Sequence, residues 1–283
     1  MSVEDLAARP PVPWRPGPDL PFDPSGPLPA LPPIRTTRAL GERRGTVVLV
    51  PPWKIRSTAI LAGWTRSLAA EGLEVRIPVP PFHLERTPPG ERPGEGSLGP
   101  DLVRTREVLS TAVLEVRACL EQACRERTGG AGGTVALVGL SLGALTAAWA
   151  ATGPERIDAA VLVAPPADLG AVFRATAIGR RYARLAERAG APLPGGDEVE
   201  RRLAWLSPVG RIPTAARVLV AGGRHDLIAV GGASALASAW NLPLRTFPRG
   251  HLTLLLACPA LRQEVAAFAA GRPATSSRPA GRP

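Results

Sequence analysis

Lysine is all but missing from this chain: Lys54 is the single one among 34 cationic residues, so the positive charge is almost entirely arginine. Against 24 acidic residues this leaves a formal charge of +10. Such an excess attracts nucleic acid or acidic membranes. Yet no run of five basic residues occurs, and no aromatic stacking platform accompanies the arginines. They are scattered along helical patterns, often with glutamate nearby (Arg117 with Glu121, Glu121 with Arg125), as solvated helix faces are. With one lysine and one methionine, the Arg-, Ala- and Pro-rich composition reads as codon bias of a GC-rich genome, and no nucleic acid partner is expected. Cysteine is scarce and odd in number, at three. Cys119 and Cys124 lie five apart on a predicted helix and point different ways, so no disulfide framework is visible. Three histidines without ligand spacing predict no metal. Gly139 and Gly143 are not part of the dinucleotide fingerprint G-x-G-x-x-G, which is absent there, and no cofactor is expected. No apolar stretch reaches the roughly 18 residues that span a bilayer, and the first ten residues lack the apolar core of a secretory signal. The expectation is a soluble, cytoplasmic protein without a membrane span, its oligomeric state left open.

What is present has a clear order. Residues 9–33 hold a dense series of prolines, which fix φ and remove donors. This predicts an extended N-terminal arm over 1–40 that lies on the domain through Trp14, Leu20 and Phe22. From about 271 the chain is small, polar and Pro-rich, and a disordered tail is predicted over 271–283. Between these ends, over 41–270, short β-branched runs alternate with helical patterns. Strands are predicted at Thr46–Val50, Leu73–Val79, Thr134–Leu140, Ala159–Ala164, Arg217–Ala221 and Leu244–Phe247, with helices at about 57–71, 101–127, 142–152, 231–240 and 259–270. Several strands are apolar on both faces, as central parallel strands are. The alternation predicts an α/β fold, a mostly parallel, doubly wound sheet with helices on both sides. Only residues 166–212 break it, and some 45 residues without a strand at this edge predict a helical cap insertion over a pocket.

In such sheets ligands bind outside the carboxyl ends of the strands. The strand ending in Val138 runs into Gly139-Leu140-Ser141-Leu142-Gly143 and then a helix. A serine on a sharp strand-to-helix turn, with glycine two residues either side, is the arrangement of an activated nucleophile. Helix start also places free N–H groups beside it. After strand 217–221 comes Gly222-Gly223-Arg224-His225-Asp226-Leu227-Ile228, where Asp226 is placed to orient a base; its other reading is a cap for the helix that follows. Asp168 is the reserve acid. His225 adjoins Asp226, and successive side chains diverge, so it is not expected to face both Asp226 and Ser141. After the last strand, Arg249-Gly250-His251-Leu252 offers His251 as a general base.

The elbow, the acid loop and the base loop occur in the order Ser141, Asp226, His251. In type, order and position, residues 46–270 resemble the α/β-hydrolase superfamily, in a poorly characterised bacterial branch. The resemblance implies an α/β-hydrolase sheet and an acyl-enzyme mechanism. Ser141 would attack a carbonyl, His251 would shuttle the proton, Asp226 would orient His251, and water would release the acid. It fixes no substrate.

One departure concerns the loop after the first predicted strand, where many relatives carry His-Gly. Here Val50-Pro51-Pro52-Trp53-Lys54-Ile55-Arg56-Ser57 stands. Proline has no N–H, so the backbone of Trp53, with that of Leu142 after the nucleophile, is expected to form the oxyanion hole. Lys54 and Arg56 either recognise an anionic substrate group or are solvated loop charges. Pro81-Phe82-His83-Leu84-Glu85-Arg86 resembles a Pro-x-His-x-x-Arg loop of some bacterial hydrolases. His83 and Arg86 then line the substrate entrance, or His83 anchors a Pro-rich loop. The resulting expectation is a carboxylesterase acting on a small-molecule acyl substrate. The alternatives are a thioesterase or acyltransferase on an anionic acyl carrier, and a non-catalytic binding protein that keeps the fold.

Overall fold

The computed structural model describes residues 3–8, 22–188, 193 and 196–272. Along the chain the elements are α1 (Val3–Ala7), β1 (Ile34–Thr37), β2 (Gly45–Val50), α2 (Ala62–Ala70), β3 (Leu73–Pro78) and α3 (Leu102–Glu126). Next come β4 (Thr134–Leu140), α4 (Leu142–Ala150), β5 (Ala159–Val163), α5 (Leu169–Ala175), α6 (Ala177–Arg188) and α7 (Gly196–Ala204). The last are β6 (Val218–Gly223), α8 (Gly232–Ala239), β7 (Leu244–Phe247), α9 (His251–Leu256) and α10 (Pro259–Ala269). β2 and β5 are buried along their whole length, and β4 along all but its first residue. Strands apolar on both faces require cover on both, and that cover is supplied. One core packs α3, α4 and α8 against residues such as Val48, Leu137 and Leu162. The other packs α2, α9 and α10 against the alternate residues Val47, Val138 and Val161. The sheet order is β1-β3-β2-β4-β5-β6-β7, with parallel pairing from β3 through β7.

The sequence reading missed β1, which it placed in the N-terminal arm. Ile34–Thr37 instead pairs antiparallel with β3, with Ile34 opposite Pro78. Its Ile-Arg-Thr-Thr side chains are mostly exposed, so no buried alternation marks it. Trp14 and Leu20 lie outside the described residues, as does the tail from 273. Phe22 is fully buried, edge-on to Trp149 with ring centres 4.9 Å apart, a burial that contributes about 2–3 kcal/mol. Between β5 and β6 the described residues form the helices α5, α6 and α7. Thr176 separates α5 from α6, its hydroxyl donating back to Val172 O and accepting from Ile178 N–H. On α3 the pair Arg125–Glu121 forms at 3.3 Å, whereas Arg117 turns away to Glu155. No helix among the described residues is long and apolar enough to cross a membrane.

Candidate active site

The tight turn after β4 sets the site. Ser141 adopts φ 55°, ψ −121°, a conformation that costs a non-glycine residue about 1–3 kcal/mol and persists only when its surroundings enforce it. Here they do. Its N–H donates to Val163 O at 2.9 Å, and its carbonyl accepts from Ala144 N–H at 2.7 Å, opening α4. The flanking glycines are required by close approach. A Cβ on Gly139 would lie 2.5 Å from Gly143 O, and one on Gly143 would lie 2.3 Å from Pro51 O. The elbow is therefore pressed directly against the loop that follows β2.

Three side chains from three loops meet at this turn. Ser141 Oγ lies 2.8 Å from His251 Nε2, and His251 Nδ1 lies 2.7 Å from Asp226 Oδ2. His251 and Asp226 are almost fully buried. A carboxylate only accepts, so His251 carries its proton on Nδ1 and presents Nε2 to the serine hydroxyl. The two oxygens of Asp226 are engaged separately: Oδ1 accepts from the N–H groups of Ile228 and Ala229, each at 2.9 Å, in the turn before α8 and not as a cap of that helix, and Oδ2 faces His251. Burial pushes this carboxyl up, but the hydrogen bond and charge of His251 and the two backbone donors outweigh it. They hold Asp226 below the ordinary carboxylate value. Asp168 is spent elsewhere, capping α5 through Ala171 N–H, and His225 is exposed.

The loop after β2 approaches from the opposite side. Among the described residues the backbone N–H groups of Trp53 and Leu142 have no hydrogen-bond partner, whereas that of Lys54 donates to His83 Nε2 at 3.0 Å. His83 Nδ1 in turn lies 2.8 Å from Pro81 O, which fixes a neutral ring with its proton on Nδ1. His83 is 2% exposed, and its pKa is lowered by burial, with Arg86 adding to the effect against the Pro81 hydrogen bond. His83 thus anchors Lys54, which adopts φ 61°, and also lines the cavity described below. The Trp53 indole N–H adds a second tie, to Gly94 O at 2.7 Å.

Protonating His83 at Nε2 would remove the acceptor for Lys54. Because its folded pKa lies below the unfolded value of about 6.5, stability is lost as pH falls through that value toward the folded one. His83→Ala is expected to free the Lys54 N–H and loosen the loop after β2. It should also flatten the acid side of the stability profile, which thermal melts across pH would follow.

The remaining predicted residues divide. Arg86 forms a two-pronged ion pair with Glu115, 2.7 Å on each arm, and donates to Val79 O. It ties the loop after β3 to α3, and breaking so enclosed a pair costs about 3–5 kcal/mol. Its guanidinium is thus committed to protein partners. Lys54 Nζ lies 4.1 Å from the centre of the Trp53 ring. Burial and the nearby Arg181 lower its pKa, Glu95 opposing and Arg92 assisting. Arg56 is exposed. Sequence reasoning expected a pocket but missed its lining, a cavity between α3, α4 and the loops after β2 and β3, bordered by Trp53 and Leu142. It also missed Glu115, whose partner Arg86 is 29 positions away; only the long apolar face of α3 hinted that something packed there.

No protein-family model matches the chain, and no curated protein matches it in sequence. Solved structures do match. One is an acetyl xylan esterase from Paenibacillus sp. R4, 16% identical with a TM-score of 0.58, covering 86% of this chain and 80% of that one. Another is a monoacylglycerol lipase of Paleococcus ferrophilus, 17% identical with a TM-score of 0.54, over 84% of this chain and 99% of that one. A puromycin-hydrolyzing peptidase of Mycobacterium tuberculosis is 19% identical with a TM-score of 0.53, over 83% of this chain but 35% of that larger one. An esterase, a lipase and a peptidase on one scaffold say nothing common about substrate. They agree on the sheet, and this chain has the α/β-hydrolase fold.

Proposed function

We propose that this protein is a serine hydrolase that cleaves a carboxylic ester through an acyl-enzyme on Ser141. The observation that carries the reading is the unbroken line Asp226 Oδ2, His251, Ser141 Oγ, with contacts of 2.7 and 2.8 Å. As Ser141 Oγ bonds to the ester carbonyl carbon, its proton passes to His251 Nε2, and Asp226 stabilises the resulting imidazolium. The carbonyl oxygen becomes an oxyanion facing the N–H groups of Trp53 and Leu142. Collapse breaks the bond to the leaving alkoxide, which takes the proton from His251. Water then repeats the sequence: it gives a proton to His251, bonds to the acyl carbon and frees the carboxylic acid and Ser141. Helices α5–α7, at the carboxyl edge of the sheet, are assigned the role of cap.

A thioester reading is favoured by one observation: Lys54, beside the proposed oxyanion loop, has Arg181 and Arg92 near it, a setting suited to a phosphorylated carrier. A fluorophosphonate probe is expected to label Ser141 stoichiometrically. Failure to label the native chain would remove the catalytic reading and leave a binding protein. A panel of p-nitrophenyl esters and acyl-CoA thioesters then separates ester from thioester, and faster turnover of the thioesters would overturn the ester assignment.

A further inference from the structure

The cavity bordered by Trp53 and Leu142 is apolar in its walls, with Val79, Val108, Leu109, Val116 and Leu145 among them. More telling is the state of its polar groups. Ser97 Oγ donates to Pro81 O, Thr105 Oγ1 to Gly99 O and Thr146 Oγ1 to Leu142 O. Glu115 is paired with Arg86, and both nitrogens of His83 are engaged. A guest with its own charge or hydroxyl would be desolvated there against groups already committed, which costs free energy. A second, smaller apolar cavity lies between α5, α6, α7 and the start of α3. The two cavities share Leu98 and Leu169, which stand between them. Both leucines are positioned by the helices above. Tyr182 of α6 donates its hydroxyl to Leu98 O, and burial raises the pKa of that hydroxyl, keeping it a donor. Leu169 is the first residue of α5, behind the Asp168 cap.

We infer that the first cavity holds an unsubstituted fatty acyl chain and that Leu98 and Leu169 form its end wall, setting the length accepted. This rests on the Ser141 reading above, since the chain is placed by its carbonyl between Trp53 and Leu142. Each methylene buried adds binding free energy, and beyond the wall the chain has no room until a leucine is cut back.

The test is kcat/KM for p-nitrophenyl acetate, butyrate, octanoate and laurate, with each variant first titrated by fluorophosphonate so that only folded, reactive protein is counted. In the native chain octanoate should exceed acetate by at least about tenfold. Leu98→Ala should raise the laurate-to-octanoate ratio about tenfold by joining the cavities, and Ala112→Phe, which fills the first cavity, should lower the octanoate-to-acetate ratio by at least as much. If the native protein labels and hydrolyses acetate, but the ratios are flat and neither substitution moves them, the cavity is not the acyl site and the inference falls alone. If no ester is hydrolysed and no label is taken up, the Ser141 reading falls and carries this one with it.

Discussion

Ser141→Ala should lower kcat on an activated ester by about a millionfold and abolish fluorophosphonate labelling, while leaving the melting temperature close to native. The size follows from the unit behaviour of a nucleophile and its base: once the hydroxyl is gone, His251 and Asp226 have nothing to activate, and only binding and oxyanion stabilisation remain. The side chain itself contributes little packing. Alanine at φ 55° is as strained as serine, and the bonds enforcing that backbone, Ser141 N–H to Val163 O and Ala144 N–H to Ser141 O, involve no hydroxyl. Activity within a hundredfold of native in a folded Ser141→Ala protein would refute the assignment.

Asp226→Asn should reduce kcat by about ten-thousandfold. The carboxylate now accepts from His251 Nδ1 and holds the proton there. An amide can turn its NH2 toward the ring, which reverses the tautomer and leaves Nε2 unable to take the serine proton. The neutral amide also cannot stabilise an imidazolium. A second readout is independent of turnover. Since the folded pKa of Asp226 lies below the ordinary carboxylate value of about 4, its stabilisation is complete above that value and is lost as pH falls through the folded pKa. The Asn variant should lack this component, so its melting temperature should fall less between neutral and strongly acid pH. A native-like kcat in Asp226→Asn would return Asp226 to a purely local role, holding the N–H groups of Ile228 and Ala229.

How far these residues could be found without coordinates depends on the range of the interaction that places them. The central strands of the parallel sheet were legible because full burial leaves a continuous β-branched run such as Thr-Val-Val-Leu-Val. The elbow was legible because Gly139 and Gly143 answer a steric demand within five residues. β1 was not, since an edge strand with exposed Arg and Thr has no face to hide. His83 and Arg86 were found but with their roles open. Their partners, the Lys54 N–H and Glu115, lie 29 residues away in each case, and no local pattern encodes such a pairing. The lining of the cavity was beyond reach for a similar reason: its walls come mainly from α3, α4 and the loops after β2 and β3, and a void is defined by what such segments jointly leave empty.

The two prolines before Trp53 carry a consequence of a different kind. A loop whose successive residues all offered an N–H could slide by one position and still present a donor to the oxyanion proposed beside Ser141. Here a slip one way brings up the nitrogen of Pro52, which has no hydrogen, and a slip the other way brings up the Lys54 N–H, already held by His83. The proposed donor is thus specified by the silence of its neighbours. Side-chain replacement at position 53 would leave that donor in place, so a conventional alanine scan would miss it, whereas deletion or insertion of a single residue between 51 and 54 would erase it.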